Sequence, residues 1–268
     1  MKYGFIGTGC MGGALATACA KAIGPEDILL SNRSPEKAQA LAEKLGAIPA
    51  DNETITRDCD VIFLGVKPQT MAQMLLPLQP ILTGRRTPFV LVSMAAGVTI
   101  ETLQDMAGGR YPVVRIMPNT ACAVGAGMTT YTCSAEVTDR QRQTVLDALA
   151  ASGLLEEIEE GLMGAASAVA GCGGAYACLF LEGLADGGVL CGLPRKKAQR
   201  MAAQMLLGMA TQALESDEHT GALKDAVCSP AGSTIAGIRK LESMSFRSAA
   251  MEAVIAAWER DKEMQRQK

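Results

Sequence analysis

The sequence predicts an α/β chain, with a parallel sheet covered by helices up to about residue 160 and helices alone from 161 to 268. Two observations predict it. Short runs rich in Val, Ile, Leu and Phe, each ended by Gly, Pro or Asn, alternate with helical stretches in the first part. Such runs vanish after Leu162, where long Ala- and Met-rich helical patterns take over. Continuous apolar strands separated by helices imply strands buried on both faces, which is the mark of a parallel sheet.

The predicted strands are Lys2 to Ile6, Asp27 to Ser31, Val61 to Gly65, Pro88 to Ser93 and Val113 to Met117. Two weaker ones, Gly127 to Thr132 and Leu154 to Ile158, flank a helix from Thr138 to Ser152. Helices are expected over 162–191, 195–215, 220–228, 233–242 and 245–265. With 268 residues and 49% hydrophobic content, the chain has enough apolar surface for one large or two modest cores. A net charge of -3, with one basic run at Arg195 to Arg200, speaks against nucleic acid as a partner. A single His excludes a multi-His metal site, and no metal is expected. Nine scattered Cys without a Cys-x-x-Cys pair read as reduced thiols of a cytoplasmic protein.

Two segments imitate export or membrane signals. Residues 1 to 23 begin with Met1-Lys2 and are mostly apolar, but Gly7, Gly9, Gly12 and Gly13 interrupt the run that a signal peptide needs. Gly161 to Leu181 carries no charge and is long enough to span a bilayer. It is rich in Gly, Ala and Ser and lies between Glu156, Glu157, Glu159 and Glu160 on one side and Glu182 and Asp186 on the other. It reads as a helix buried by protein, with a second subunit as one cover.

Chemistry begins where the first strand ends. Ile6-Gly7-Thr8-Gly9-Cys10-Met11-Gly12 places a G-x-G-x-x-G between a strand and the predicted helix Gly13 to Ile23. Glycines there permit a tight turn and close approach to a pyrophosphate, which the helix N-terminus attracts, so the first domain reads as Rossmann-type. The second strand runs into Ser31-Asn32-Arg33-Ser34 with no acid until Glu36. A 2′-phosphate suits Arg33 and its polar neighbours better than a 2′-hydroxyl does, so NADPH is preferred and NADH is left open. Ser34-Pro35-Glu36 is also a good helix start, and both readings can hold. Val66-Lys67-Pro68, Met94-Ala95-Ala96 and Met117-Pro118-Asn119-Thr120 follow later strands and should face the same crevice.

Taken together, these pieces resemble pyrroline-5-carboxylate reductase across nearly the whole chain. The resemblance rests on Gly4-Phe5-Ile6-Gly7-x-Gly9-x-Met11, Val66-Lys67-Pro68-Gln69, Ala95-Ala96-Gly97-Val98 and Arg115-x-Met117-Pro118-Asn119-Thr120. It rests above all on Ala185-Asp186-Gly187-Gly188-Val189 with Gly192-Leu193-Pro194-Arg195, and on Leu223-Lys224-Asp225-x-Val227-x-Ser229-Pro230. It implies a dinucleotide-binding domain (1–160), a helical dimerisation and substrate-binding domain (161–268), a homodimer with assembly of dimers left open, and reduction of 1-pyrroline-5-carboxylate to L-proline by NAD(P)H. It further implies that Ser229, Gly232, Ser233 and Thr234 hold the substrate carboxylate, with Thr234 the catalytic candidate at the ring nitrogen, that Asn119 contacts substrate, and that Asn52 lies near the cofactor ribose. This chain departs from the family at Ala121, at Ala170, Cys172 and Gly174, and at Ala226, Ala231 and Ser233. Two other readings stand beside it. A 3-hydroxyacid dehydrogenase of the β-hydroxyacid type needs a catalytic Lys, and no Lys occurs between Lys67 and Lys196. A non-catalytic NADPH sensor has no use for a carboxylate loop.

Overall fold

The computed structural model describes residues 1–266. Its strands are β1 (Tyr3–Ile6), β2 (Ile28–Ser31), β3 (Ile48–Pro49), β4 (Val61–Leu64), β5 (Val90–Ser93), β6 (Val113–Pro118), β7 (Gly127–Cys133) and β8 (Gly153–Glu157). The helices are α1 (Cys10–Ile23), α2 (Pro35–Leu45), α3 (Asn52–Asp58), α4 (Pro68–Leu75), α5 (Gln79–Gly84), α6 (Ile100–Ala107), α7 (Asp139–Leu149), α8 (Met163–Ala166), α9 (Gly173–Leu190), α10 (Arg195–Glu215), α11 (Thr220–Ala226), α12 (Ser233–Ser243) and α13 (Phe246–Arg266). A π-helical turn, Ser167–Gly171, joins α8 to α9.

One sheet takes the order β3-β2-β1-β4-β5-β6-β7-β8. Its pairs are parallel except β6 with β7, which run antiparallel with Pro118 opposite Thr129. The link between those two strands, residues 119–126, is too short for the crossover that parallel pairing requires. Alternation along each strand sends side chains to two cores. One holds Phe5, Phe63, Val92 and Val114 with Leu15 of α1, Ala38 of α2 and Val145 of α7. The other holds Ile62, Leu64 and Leu91 with Ile55 of α3, Met71 of α4 and Leu103 of α6. Phe5 and Phe63, paired across β1 and β4, stack with ring centroids 4.3 Å apart.

The chain forms two compact units. One comprises Met1–Cys172 with the segment from Ala257 onward, and the other is Gly173–Ala256. In the second unit Gly188 lets α9 approach α10 closely, since a Cβ there would stand 3.1 Å from that of Ala198. The pair Arg195–Asp186 and the bond from the Tyr176 hydroxyl to the Ala253 carbonyl, 3.1 Å, hold the helices together. Few of its side chains are buried, and Leu179, Leu190, Leu207 and Leu214 are exposed. The stretch Glu160–Leu190 is long and apolar enough to cross a membrane by length and composition, with 6% of its most apolar window buried within the chain.

Candidate active site

The strand register aligns Ile6 with Ser31 and Leu64, and Leu64 with Ser93, so the segments that follow β1, β2, β4 and β5 leave from one edge. At the first of them α1 begins at Cys10, three residues earlier than the sequence predicts, with Gly9 as its N-cap and no acid in its first turn. Gly7 sits at φ 98°. A Cβ on Gly12 would lie 2.1 Å from the Gly7 carbonyl oxygen, and one on Gly65 would lie 2.4 Å from the same atom. The start of α1 is therefore pressed onto the ends of β1 and β4, and its first N–H groups open toward solvent. A Cβ on Gly9 would meet nothing within 4 Å. The Thr8 hydroxyl in this loop is buried and has no hydrogen-bond partner among the described residues. Bare backbone, a helix N-terminus and an orphaned buried hydroxyl together fit the pyrophosphate of a dinucleotide.

Beyond β2 a cleft of about 690 Å³ is lined by Ser31, Asn32, Asn52 and Gln39 among others. The buried Ser31 hydroxyl donates to Asn52 Oδ1 at 2.5 Å, and Asn32 Nδ2 donates to the Ser34 carbonyl at 3.3 Å. Arg33 is exposed and makes no ion pair among the described residues. Ser34 is the N-cap of α2 with Pro35 in the first turn, although its hydroxyl makes no capping bond. Asn52 is the first residue of α3, whose N-cap Asp51 accepts the Thr54 N–H at 2.7 Å. That bond holds the Asp51 carboxyl below the usual carboxylate range. At the other end of α3, Arg85 donates to the Thr56 and Cys59 carbonyls, both at 2.7 Å. The cleft is thus braced from both ends of one short helix.

Val66 is half-buried and Lys67 exposed at the N-cap of α4, where Pro68 begins the helix. Met94 is half-buried, Ala95 buried and Ala96 exposed after β5. Asn119 follows β6 and is held at both ends of its amide. Its Nδ2 donates to the Ala170 carbonyl of the π turn at 3.1 Å, and its Oδ1 accepts the Met128 N–H at 3.3 Å. Both ends of its amide tie one backbone segment to another. The cleft walls at Gln39, Pro49 and Ala50 were not singled out by sequence; the two-residue β3 that brings Pro49 beside β2 leaves too brief a signal.

The loop Ser229–Thr234 belongs to the second unit. Ala231 adopts φ 55°, the left-handed region, and the Gly232 N–H closes a turn onto the Ser229 carbonyl at 3.0 Å. Gly232 is the N-cap of α12, and no side chain caps that helix. The first-turn N–H groups of Ser233, Thr234 and Ile235 are left for an outside acceptor, in the arrangement a carboxylate fits.

Comparison with known proteins covers both parts of the chain. A family profile described as pyrroline-5-carboxylate reductase dimerisation matches residues 160–264, and one described as NADP oxidoreductase coenzyme F420-dependent matches residues 2–97. The pyrroline-5-carboxylate reductase of Methanosarcina acetivorans is 40% identical over 98% of this chain and 97% of its own. That of Escherichia coli is 38% identical over 98% of both chains. The crystal structure of Plasmodium falciparum pyrroline carboxylate reductase with NADP bound superposes with a TM-score of 0.87 at 34% identity, covering 99% of this chain and 98% of that one. With this identity sustained over nearly its full length, the chain belongs to the pyrroline-5-carboxylate reductase family.

Proposed function

We propose that the chain, as a homodimer, reduces the ring C=N of 1-pyrroline-5-carboxylate to L-proline with NADPH, the last step of proline biosynthesis. The observation that carries the substrate side is the Ser229–Thr234 turn, whose Gly232 N-cap leaves the first N–H groups of α12 without a side-chain cap. When bound, NADPH supplies the hydride. The glycine turn, Thr8 and the first turn of α1 hold its pyrophosphate, Ser31, Asn32, Arg33 and Asn52 take its adenosine end, and backbone at Val66–Pro68 and Met94–Ala96 lies along the rest. The N–H groups of α12 with Ser229 and Ser233 fix the substrate carboxylate, and the Thr234 hydroxyl meets the ring nitrogen. A cyclic imine is basic enough to arrive protonated, so the ring nitrogen brings its own proton and the chain needs no strong acid at that point.

The functional boundary is placed between residues 160 and 161, supported by the end of β8 at Glu157 and the start of the dimerisation match. A second copy, rather than lipid, is proposed to cover the apolar stretch from Glu160, supported by the acids at Glu156, Glu157 and Glu159 before it. A cytoplasmic location, the absence of a nucleic-acid partner and any assembly of dimers belong to the same proposal.

Purified protein should oxidise NADPH when the imine is added. No turnover with the cofactor shown to bind would favour the sensing protein. Thr234→Ala should lower turnover or imine affinity by about tenfold or more and leave NADPH affinity unchanged. Equal loss of both affinities would make the loop structural.

A further inference from the structure

Arg115 lies in β6 between Val114 and Ile116, so its side chain leaves the opposite face of the sheet from theirs. It is 4% exposed, and its Nη1 donates to Glu160 Oε1 at 3.0 Å. The same oxygen accepts the N–H of Ile100, the first residue of α6, at 2.7 Å. Arg115 Nε has no hydrogen-bond partner among the described residues. A buried guanidinium donor left unpaired is costly and calls for an acceptor.

The acceptor has a place to sit. Arg115 lines a cavity of about 290 Å³ with Thr99, Glu160, Gly161, Trp258, Asp261 and Lys262. None of these residues belongs to the cofactor cleft or the Ser229–Thr234 loop. Both acids are already engaged: Glu160 bridges two donors, and Asp261 is not without a partner. The unfilled capacity is donor capacity, from the guanidinium of Arg115, whose unpaired Nε is buried, and from the Lys262 ammonium, which stands 3.3 Å from the Trp258 ring centroid. Gly161, one of the lining residues, carries no side chain, and a Cβ there would meet nothing within 4 Å.

We propose that this cavity is a second anion site, which binds the carboxylate of a small organic acid on Arg115 and Lys262 with its carbon body against Trp258. A planar two-oxygen group matches a guanidinium edge, and the indole supplies apolar wall. The volume sits at the small end for ligand sites, which suits a small acid and not a nucleotide.

Trp258 is the chain's one tryptophan, so its fluorescence reports on this cavity alone. The intact protein, without cofactor, is titrated with sodium propionate and sodium butyrate, with sodium chloride at matched ionic strength as control. A saturable change with both carboxylates and none with chloride is expected. Arg115→Lys keeps a cation for Glu160 but removes Nε, and Gly161→Leu fills the cavity without touching a charge; each should weaken binding by about tenfold or more. Gly161→Leu carries the test alone if Arg115→Lys folds poorly. Thr234→Ala should leave the titration unchanged. A wild-type protein without saturable response, a response equal in chloride, or binding undiminished in Gly161→Leu would overturn the proposal. Loss of the response in Thr234→Ala would overturn it too, by moving the carboxylate to the catalytic loop.

Discussion

Arg33 and Ala231 are the two residues at which the proposed ligand sites can be tested one at a time. Arg33 is the exposed cation at the end of β2, where no acid competes for a 2′-phosphate. A charge-assisted hydrogen bond contributes about 1.5–3 kcal/mol, so Arg33→Ala should raise the KM for NADPH by about tenfold or more while the KM for NADH stays put. Steady-state rates with both cofactors check this. Ala231 holds a left-handed conformation that costs a side-chain-bearing residue about 1–2 kcal/mol. Glycine would relieve that strain but lose about 0.4–1 kcal/mol through the freer unfolded chain, so Ala231→Gly should stabilise by no more than about 1.6 kcal/mol. Ala231→Val crowds the same turn with a β-branched side chain. It should raise the KM for the imine and leave that for NADPH unchanged, with thermal melting as the companion measurement.

Among the elements, α3 carries more of the cofactor cleft than its length suggests. Asp51 caps it, Asn52 opens it, and Arg85 closes its far end. Asp51→Ala should cost about 1 kcal/mol and weaken NADPH binding by letting Asn52 drift from Ser31. The Asp51 carboxyl is held below its unfolded value by the Thr54 N–H, so the stabilisation is present above the usual carboxylate range and lost as pH falls through the folded value. Melting curves of wild type and variant should therefore converge in acid. The elements legible in the sequence were the long ones with a repeated signal: β1, β2, β4, β5 and β6 were apolar runs, and α10 and α13 were periodic. β3 escaped because it is two exposed residues, one of them proline. The antiparallel turn from β6 into β7 follows from the length of a connection and not from apolarity. At the proposed site, the glycine turn and the polar end of β2 stand out in the sequence because backbone geometry and phosphate chemistry restrict them to few residue types. The struts of Asn119 do not, because nothing in the sequence pairs it with Ala170 or Met128, which lie 51 and 9 residues away.

Across the whole molecule, the second unit keeps its large apolar side chains outside. Leu179 is 72% exposed and Leu214 75%. The dimerisation match over residues 160–264 gives that surface its purpose. Leu179→Glu puts a charge where a partner chain would desolvate it, and the dimer should weaken by about a hundredfold or more in sedimentation, with the first unit's NADPH binding retained. An unchanged dimer would move the interface off that face of α9. The helix α13 carries a different consequence. Its first part belongs to the second unit, whereas from Ala257 it completes the first, where Trp258 and Asp261 stand beside Gly164. During synthesis the first unit thus waits on residues that leave the ribosome after the whole of Gly173–Ala256 has been made. The cofactor-binding half is translated first and finished last.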